Sequence, residues 1–152
     1  NQPANIFVGG FIGSPPMNFF RGTIQQDDGD LLYTEQNESE SAFRVRLGSR
    51  LRKQVEKWGG KEIVLGIRPE DMRLAGAGEG AVLHARVEVS EPMGAETYLH
   101  LLTGGHTFVA RVDCGQRFRS GDMVGLVPDM EKVHLFDPVT EANLNPPPRT
   151  DC

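Results

Sequence analysis

Two glutamates that flank a tight turn are the residues of this sequence that most resemble a catalytic pair. Glu91 and Glu96 stand on either side of residues 92–94 (PMG), and a turn there brings their carboxylates towards each other. Two carboxylates on either side of a sugar bond are the machinery of a glycosidase. One of them can instead pair with Arg68 and attach the hairpin to the central strand at residues 62–67. We predict the second, structural role.

No other pattern indicates catalysis, metal binding or phosphate binding. The glycine-rich stretches at 9–13 (GGFIG) and 76–80 (GAGEG) lack the lysine and the hydroxyl residue of a phosphate-binding G-x-x-x-x-G-K-[ST] loop. No G-x-S-x-G elbow presents a serine. The histidines lack zinc-site spacing, and we predict structural roles for all four: His84, His100, His106 and His134. The sequence therefore predicts no catalytic, cofactor-binding or metal-binding residue in this chain.

Composition indicates a globular chain that does not bind nucleic acid. The 152 residues are 38% hydrophobic and 24% charged, which suits one respectable core. No apolar run approaches the roughly 18 residues of a membrane span, and no signal peptide opens the sequence. The net charge of −5 opposes a phosphate-binding surface. Cys114 and Cys152 are too few for a disulfide framework, so we expect free thiols in a reducing cytoplasm.

Alternation of apolar and polar residues predicts nine short strands, the pattern of a small barrel or sandwich. An Asp-Gly pair at residues 28–29 predicts the turn between the first two. The predicted strands cover residues 17–26, 31–35, 42–47, 62–67, 81–91, 97–102, 107–112, 123–127 and 133–136.

One internal helix is predicted over residues 50–58, with Ser49 as its cap. Leu51, Val55 and Trp58 then share one face at helical spacing. Its other faces are cationic, with Arg50, Arg52, Lys53 and Lys57. We interpret these residues as a solvated helix surface, with a docking patch for an acidic partner as the alternative.

The fourth predicted strand ends in a charged turn. Pro69 has no N–H for the ladder and holds Arg68 in an extended conformation. Glu70 and Asp71 follow at the positive end of a short helical turn, which favours acidic side chains. Nothing in this arrangement is catalytic.

Four motifs, in this order, resemble the C-terminal regulatory domain of ATP-binding subunits from sugar-importing ABC transporters of the maltose and glycerol-3-phosphate type. They are residues 3–18 (PANIFVGGFIGSPPMN), 66–71 (GIRPED), 91–97 (EPMGAET) and 134–137 (HLFD). Two departures from the family pattern are the flexible pair at 9–10 (GG) and Met93 in place of a more usual aliphatic residue. The residues that carry the motifs, with expected structural roles, are Gly66, Arg68, Pro69, Glu70, Glu91, Gly94 and Glu96.

The resemblance implies a mainly β, OB-like β-barrel of the TOBE or MOP-like type, with a short N-terminal helix and one short internal helix. It divides the chain into a helix leaving a missing ATPase domain (1–14), the barrel domain (15–137) and a disordered tail (138–152). The tail contains three consecutive prolines at 146–148. The strand pattern by itself does not separate a barrel from a sandwich.

By the same resemblance, the chain is a non-catalytic regulatory and dimerisation domain. Its parent would couple ATP hydrolysis, with Mg, to uptake of sugars or related solutes. The implied partners are a second copy, the parent's ATPase domain, membrane permease subunits and, in some members, a regulatory protein. The implied location is the cytoplasmic face of the plasma membrane.

Two alternatives of other classes stay open at this point. MOP-like barrels of molybdate systems hold an oxyanion. Such a site requires converging N–H groups together with hydroxyl or lysine side chains. Ser90 and Thr97 can supply hydroxyls, although Glu88, Glu91 and Glu96 crowd them. An OB-type nucleic-acid binder is the third class, and the sequence lacks the basic groove with interleaved aromatics that it requires.

Overall fold

The chain is built mainly of β-strands, as the alternation predicts. The computed structural model describes residues 16–36, 42–55, 62–113 and 115–139. The N-terminal helix predicted for residues 1–14 lies outside the described residues, and so does the predicted tail apart from residues 138 and 139. The elements are β1 (Asn18–Asp27), β2 (Asp30–Glu35), β3 (Arg44–Arg46), α1 (Gly48–Val55), β4 (Glu62–Ile67), a 3-10 turn (Pro69–Asp71), β5 (Met72–Leu74), β6 (Leu83–Met93), β7 (Glu96–Leu102), β8 (Thr107–Asp113), β9 (Met123–Pro128) and β10 (His134–Phe136).

The described strands form two antiparallel sheets of five strands each. The first has the order β10-β4-β1-β2-β3, and the second has the order β5-β9-β6-β7-β8. Within the described residues no ladder joins the outer strands β5 and β8, so the second sheet stays open. The predicted OB-like, mainly β architecture is confirmed, but as two sheets around a core rather than as a closed barrel.

Alternate side chains of both sheets point into one shared core. In β7 and β8 the buried residues are every second one, which is the period of a strand with one solvated face. The internal helix is confirmed, but it begins at Gly48, so Ser49 lies inside the helix and is not the predicted cap. Its Leu51 and Val55 are buried in the same core. Trp58 lies outside the described residues. The largest fully buried side chains include Phe20, Tyr33, Leu65, Leu99 and Leu126, which come from strands of both sheets.

Two hairpins have the turn chemistry that their sequences predict. Asp28 and Gly29 both have positive φ, 49° and 81°, which is the geometry of a type I′ turn between β1 and β2. The β6–β7 hairpin turns through Gly94, which has a φ of 78°, and Ala95, which does not have positive φ. That combination is typical of a type II′ turn. A side chain at Gly94 would be strained whatever space surrounds it.

The structure corrects the strand prediction at two places. The short strand β5 has only three residues after the 3-10 turn, too few to produce a recognisable alternation. In β6 the alternation predicts Val89 on the same buried face as Leu83 and Ala85, yet Val89 is 55% exposed. The register shifts between Val87 and Val89. This β-bulge adds one residue and turns the following side chains to the other face.

Candidate functional site

Three of the four sequence motifs meet on one face of the first sheet. In β4, Gly66 lies between Phe19 of β1 and His134 of β10 in the strand register. A second hydrophobic cluster lies there, formed by Met17, Val64 and Phe136 with Phe19 packed against it. A Cβ on Gly66 would lie 2.6 Å from Met17 Sδ and 2.6 Å from Phe136 Cε2. Gly66 is therefore a packing glycine that lets two side chains close over the strand.

The charged turn after β4 has the predicted conformation. Arg68 is extended, with φ −72° and ψ 149°, and Pro69 is buried at the start of the 3-10 turn. The N–H of Asp71 donates to the carbonyl of Arg68 at 2.9 Å and closes that turn. Burial, and secondarily Glu70, raise the pKa of the Asp71 carboxyl, against the lowering effect of the Lys132 ammonium 3.9 Å away. The ionised form of Asp71 is therefore disfavoured in this turn. The neighbouring Glu70 side chain is exposed.

The predicted ion pair between Arg68 and the hairpin glutamates is wrong. Glu91 instead contacts His100 Nε2 at 3.3 Å, and Glu96 contacts Arg111 Nε at 3.4 Å. Each carboxylate thus has its own basic partner on β7 or β8. Both glutamate side chains are about half exposed, at 52% and 44%. This geometry does not favour the acid pair of a glycosidase, which needs two carboxylates converging on one bond.

Three arginines in β3 and α1 bind neighbouring parts of the chain. Arg46 forms an ion pair with Asp27 at 2.6 Å. Arg50 donates to the Met130 carbonyl at 2.7 Å, and Arg52 donates to the carbonyl of Gly29. Of the four cations in the alternative docking patch, Arg50 and Arg52 serve internal contacts, Lys53 is exposed, and Lys57 lies outside the described residues.

A buried polar cluster joins the two sheets, and sequence reasoning missed it. Glu35 is 3% exposed, and its carboxylate accepts hydrogen bonds from the Thr103 hydroxyl and from Phe43 N–H. His106 Nδ1 lies 2.6 Å from Glu35 Oε2. Burial, and then the charge of Glu35, raise the pKa of the nearby Tyr33 hydroxyl far above its ordinary value. Glu35 and His106 are 71 residues apart, and no local pattern connects them.

The histidine of the closing strand is buried and held neutral. His134 is 3% exposed in β10. Burial first, and then the positive charges of Arg68 and Arg50, lower its pKa to about 4. The structural role predicted for this histidine agrees with its position beside Phe136 in the packed strand, with ring centroids 6.4 Å apart.

A cleft of about 380 Å³ lies between the outer strands of the second sheet, lined in part by Leu74 and Val112. The two arginines in its wall are already engaged. Arg73 makes two hydrogen bonds to the carboxylate of Glu79, at 2.7 and 2.6 Å, and Arg111 pairs with Glu96. The Arg73 pair uses two of the five N–H donors of its guanidinium, and each glutamate offsets the charge of its arginine. This offset disfavours an oxyanion in the cleft.

Among the residues that the structure describes, no group of three or more acidic, histidine or cysteine side chains is placed to hold a metal ion. No helix in these parts of the chain has the length and apolarity to cross a membrane. Cys114 and Cys152 lie outside the described residues.

Sequence comparison identifies two family domains that together cover most of the chain. Residues 13–72 match the MalK OB fold domain, and residues 65–136 match the TOBE domain. The overlap at residues 65–72 covers the end of β4 and the charged turn, which connect the two sheets in the chain. The TOBE match contains the second sheet and also β10 of the first.

The similar curated proteins are ATP-binding subunits of ABC transporters. The trehalose/maltose import ATP-binding protein MalK of Thermococcus litoralis is 41% identical over 151 residues, covering 92% of this chain and 37% of its own length. The multiple sugar-binding transport ATP-binding protein MsmK of Streptococcus mutans serotype c is 40% identical over 148 residues, covering 93% and 37%. The chain therefore spans little more than a third of these relatives.

Among solved structures, the cytoplasmic molybdate-binding protein ModG with molybdate bound is similar in fold, with a TM-score of 0.55. The alignment covers 82% of this chain and 97% of that chain at 16% identity, which shows a shared fold alone. The two domain matches and the sequence relatives agree with each other. The chain belongs to the family of MalK-type OB-fold and TOBE domains carried by the ATP-binding proteins of sugar-import ABC transporters.

Proposed function

We propose that this chain is the non-catalytic regulatory and dimerisation domain of an ABC importer's ATP-binding subunit. The parent would use ATP and Mg to drive uptake of a sugar or a related solute, on the cytoplasmic face of the plasma membrane and together with permease subunits. The observation that carries the proposal is the match of residues 13–136 to the MalK OB-fold and TOBE domains.

The roles of the motif residues support a mechanical rather than a chemical function. Gly66 leaves room for the side chains packed over β4, and Gly94 adopts the positive φ of the hairpin turn. Glu91 and Glu96 form cross-strand pairs with basic side chains. Two ordered sheets sharing one core form a stiff body. Two such bodies in contact would raise the effective concentration of the attached ATPase halves and keep them paired between cycles.

The test is a deletion in the full-length ATP-binding subunit, which removes the residues corresponding to 16–139 of this chain. Sedimentation equilibrium without nucleotide would measure the dimer, and equilibrium dialysis would measure ATP binding. We expect the deletion to weaken the nucleotide-free dimer at least tenfold while ATP binding per subunit is retained. A nucleotide-free dimer of unchanged affinity would contradict the dimerisation role, and loss of ATP binding from a folded ATPase domain would contradict the non-catalytic role.

A second candidate, an oxyanion-binding module, rests on the fold likeness to the molybdate-binding protein ModG. The pairing of Arg73 and Arg111 with glutamates argues against it. Equilibrium dialysis of the 152-residue chain against molybdate and against sulfate separates the two functions. Saturable binding of either ion would favour the second candidate, and its absence would favour the first.

A further inference from the structure

The buried carboxylate of Glu35 accepts hydrogen bonds from two separate parts of the chain. The Thr103 hydroxyl and the Phe43 N–H both donate to it, and His106 Nδ1 lies 2.6 Å from Oε2. Three such neighbours suit the ionised carboxylate, which only accepts hydrogen bonds. Glu35 lies at the end of β2, while Thr103 and His106 are the two ends of the loop between β7 and β8. The carboxylate thus fastens a loop of one sheet to the other sheet.

The second nitrogen of His106 determines the state of its ring. The backbone N–H of Arg21 in β1 donates to His106 Nε2 at 3.0 Å. An imidazole nitrogen accepts a hydrogen bond only when it carries no proton. The geometry therefore assigns the neutral tautomer with the proton on Nδ1, directed at Glu35. The charged ring would place two N–H groups, those of Nε2 and Arg21, against each other.

We propose that Glu35, Thr103 and His106 form an acid-sensitive latch between the two sheets. Protonation of His106 at Nε2 breaks its contact with the Arg21 amide, so the loop at residues 103–106 loses its attachment to β1 and keeps its attachment to Glu35 of β2. The Thr103 N–H donates to the His106 carbonyl at 3.0 Å, so the loop moves as a closed unit. Gly104 and Gly105 inside it leave the backbone free to turn.

The groups around the ring set opposing tendencies. From β2, the Glu35 carboxylate favours the charged ring, and the neutral Tyr33 hydroxyl adds no charge. From β1, the Arg21 amide favours the neutral ring, and the edge of Phe20, with ring centroids 5.5 Å apart, excludes water from one side. The Arg21 side chain is exposed, so solvent and salt screen its charge.

The experiment is ¹⁵N NMR of the 152-residue chain between pH 7.5 and 5.0. Long-range spectra of the ring nitrogens identify the His106 tautomer, and amide hydrogen exchange corrected for intrinsic rates gives the protection of Arg21. We expect the neutral Nδ1–H tautomer at pH 7.5 and a loss of Arg21 protection of at least tenfold that follows the His106 titration curve. A charged ring or an Nε2–H tautomer at pH 7.5 would overturn the proposal.

His100 offers the matched control, since it also contacts a glutamate, Glu91, but its side chain is 42% exposed on β7. In a His100→Gln variant the pH response of the Arg21 amide should remain, and in a His106→Gln variant it should disappear. Where His106→Gln does not fold, the wild-type titration decides alone. Constant Arg21 protection through the His106 titration, or a His106 ring that never titrates above pH 5.0, would contradict the latch.

Discussion

The side-chain amide of Asn18 forms two hydrogen bonds with the backbone of Val109. Its Nδ2 donates to the Val109 carbonyl at 2.7 Å, and the Val109 N–H donates to its Oδ1 at 2.9 Å. Asn18 begins β1 of the first sheet, and Val109 lies in β8 at the edge of the second. The amide therefore takes the place of a neighbouring strand on that edge. It links two sheets that share no backbone ladder among the described residues.

Replacement of Asn18 by alanine is expected to destabilise the chain by about 1–3 kcal/mol. The reason is that the substitution leaves both polar groups of Val109 without their partner in a partly buried position. Urea unfolding measures the difference. Gln25→Ala on the exposed side of the same strand is the control and should stay within about 0.5 kcal/mol of the wild type. Equal effects of the two substitutions would refute the bridging role.

Replacement of Gly66 by alanine is expected to destabilise the chain by about 1–3 kcal/mol through overpacking. The new methyl group would meet Met17 and the ring of Phe136 at 2.6 Å. Gly80→Ala is the matched control, because a methyl group at that position would meet nothing within 4 Å and the φ of Gly80 is not positive. Thermal unfolding of both variants measures the difference. A Gly66→Ala protein as stable as Gly80→Ala would contradict the prediction, because it would show that Met17 and Phe136 move aside at little cost in stability.

Stability is expected to fall as the pH falls from 6.5 to about 4, because His134 binds its proton only after unfolding. The pKa of His134 is lowered from 6.5 to about 4 in the fold, so the unfolded state takes up the proton first. The full effect is up to roughly 3 kcal/mol, since one pKa unit corresponds to about 1.4 kcal/mol. Unfolding free energies across this range measure it. In a His134→Gln variant the fall should be smaller by that amount, whereas a His84→Gln variant should keep the whole fall.

Replacement of Asp71 by asparagine is expected to stabilise the chain at neutral pH. Burial raises the pKa of this carboxyl, so its ionisation above that pKa lowers the stability of the fold. The gain from asparagine should disappear as the pH falls through the raised pKa to the ordinary value of 3.8, where the wild-type group becomes protonated in both states. Denaturation at pH 7 and pH 3 tests this. Asp113→Asn, an exposed aspartate, is the control, and a destabilised Asp71→Asn protein would mean that the pair with Lys132 dominates.

Short-range chemistry makes several elements predictable. The Asp28–Gly29 pair specifies a turn because both residues must adopt positive φ, and the structure has that turn. Leu51 and Val55 predict the helix face because their spacing is one helical turn. Proline after Arg68 ends the strand because it lacks an N–H. Each of these depends on neighbouring residues alone.

The pairing of charged groups is less predictable. The motifs favour a pair between Arg68 and a hairpin glutamate, but Glu91 and Glu96 contact His100 and Arg111 instead. Which cation reaches which carboxylate depends on the register of β6, β7 and β8 and on the bulge after Val87. A shift of one residue moves a side chain to the opposite face of a sheet. The charges alone do not contain that information.

The sequence by itself determined the mainly β character, the turns, the internal helix and the family, because these follow from local patterns and from motifs in order. Only the tertiary structure decided that Asn18 bridges to Val109, that Glu35 is buried against His106, and that the described part of the second sheet stays open between β5 and β8. The two side-chain contacts join residues 91 and 71 positions apart in the chain. The packing of the two sheets on a common core brings these partners together, although they are far apart in the sequence.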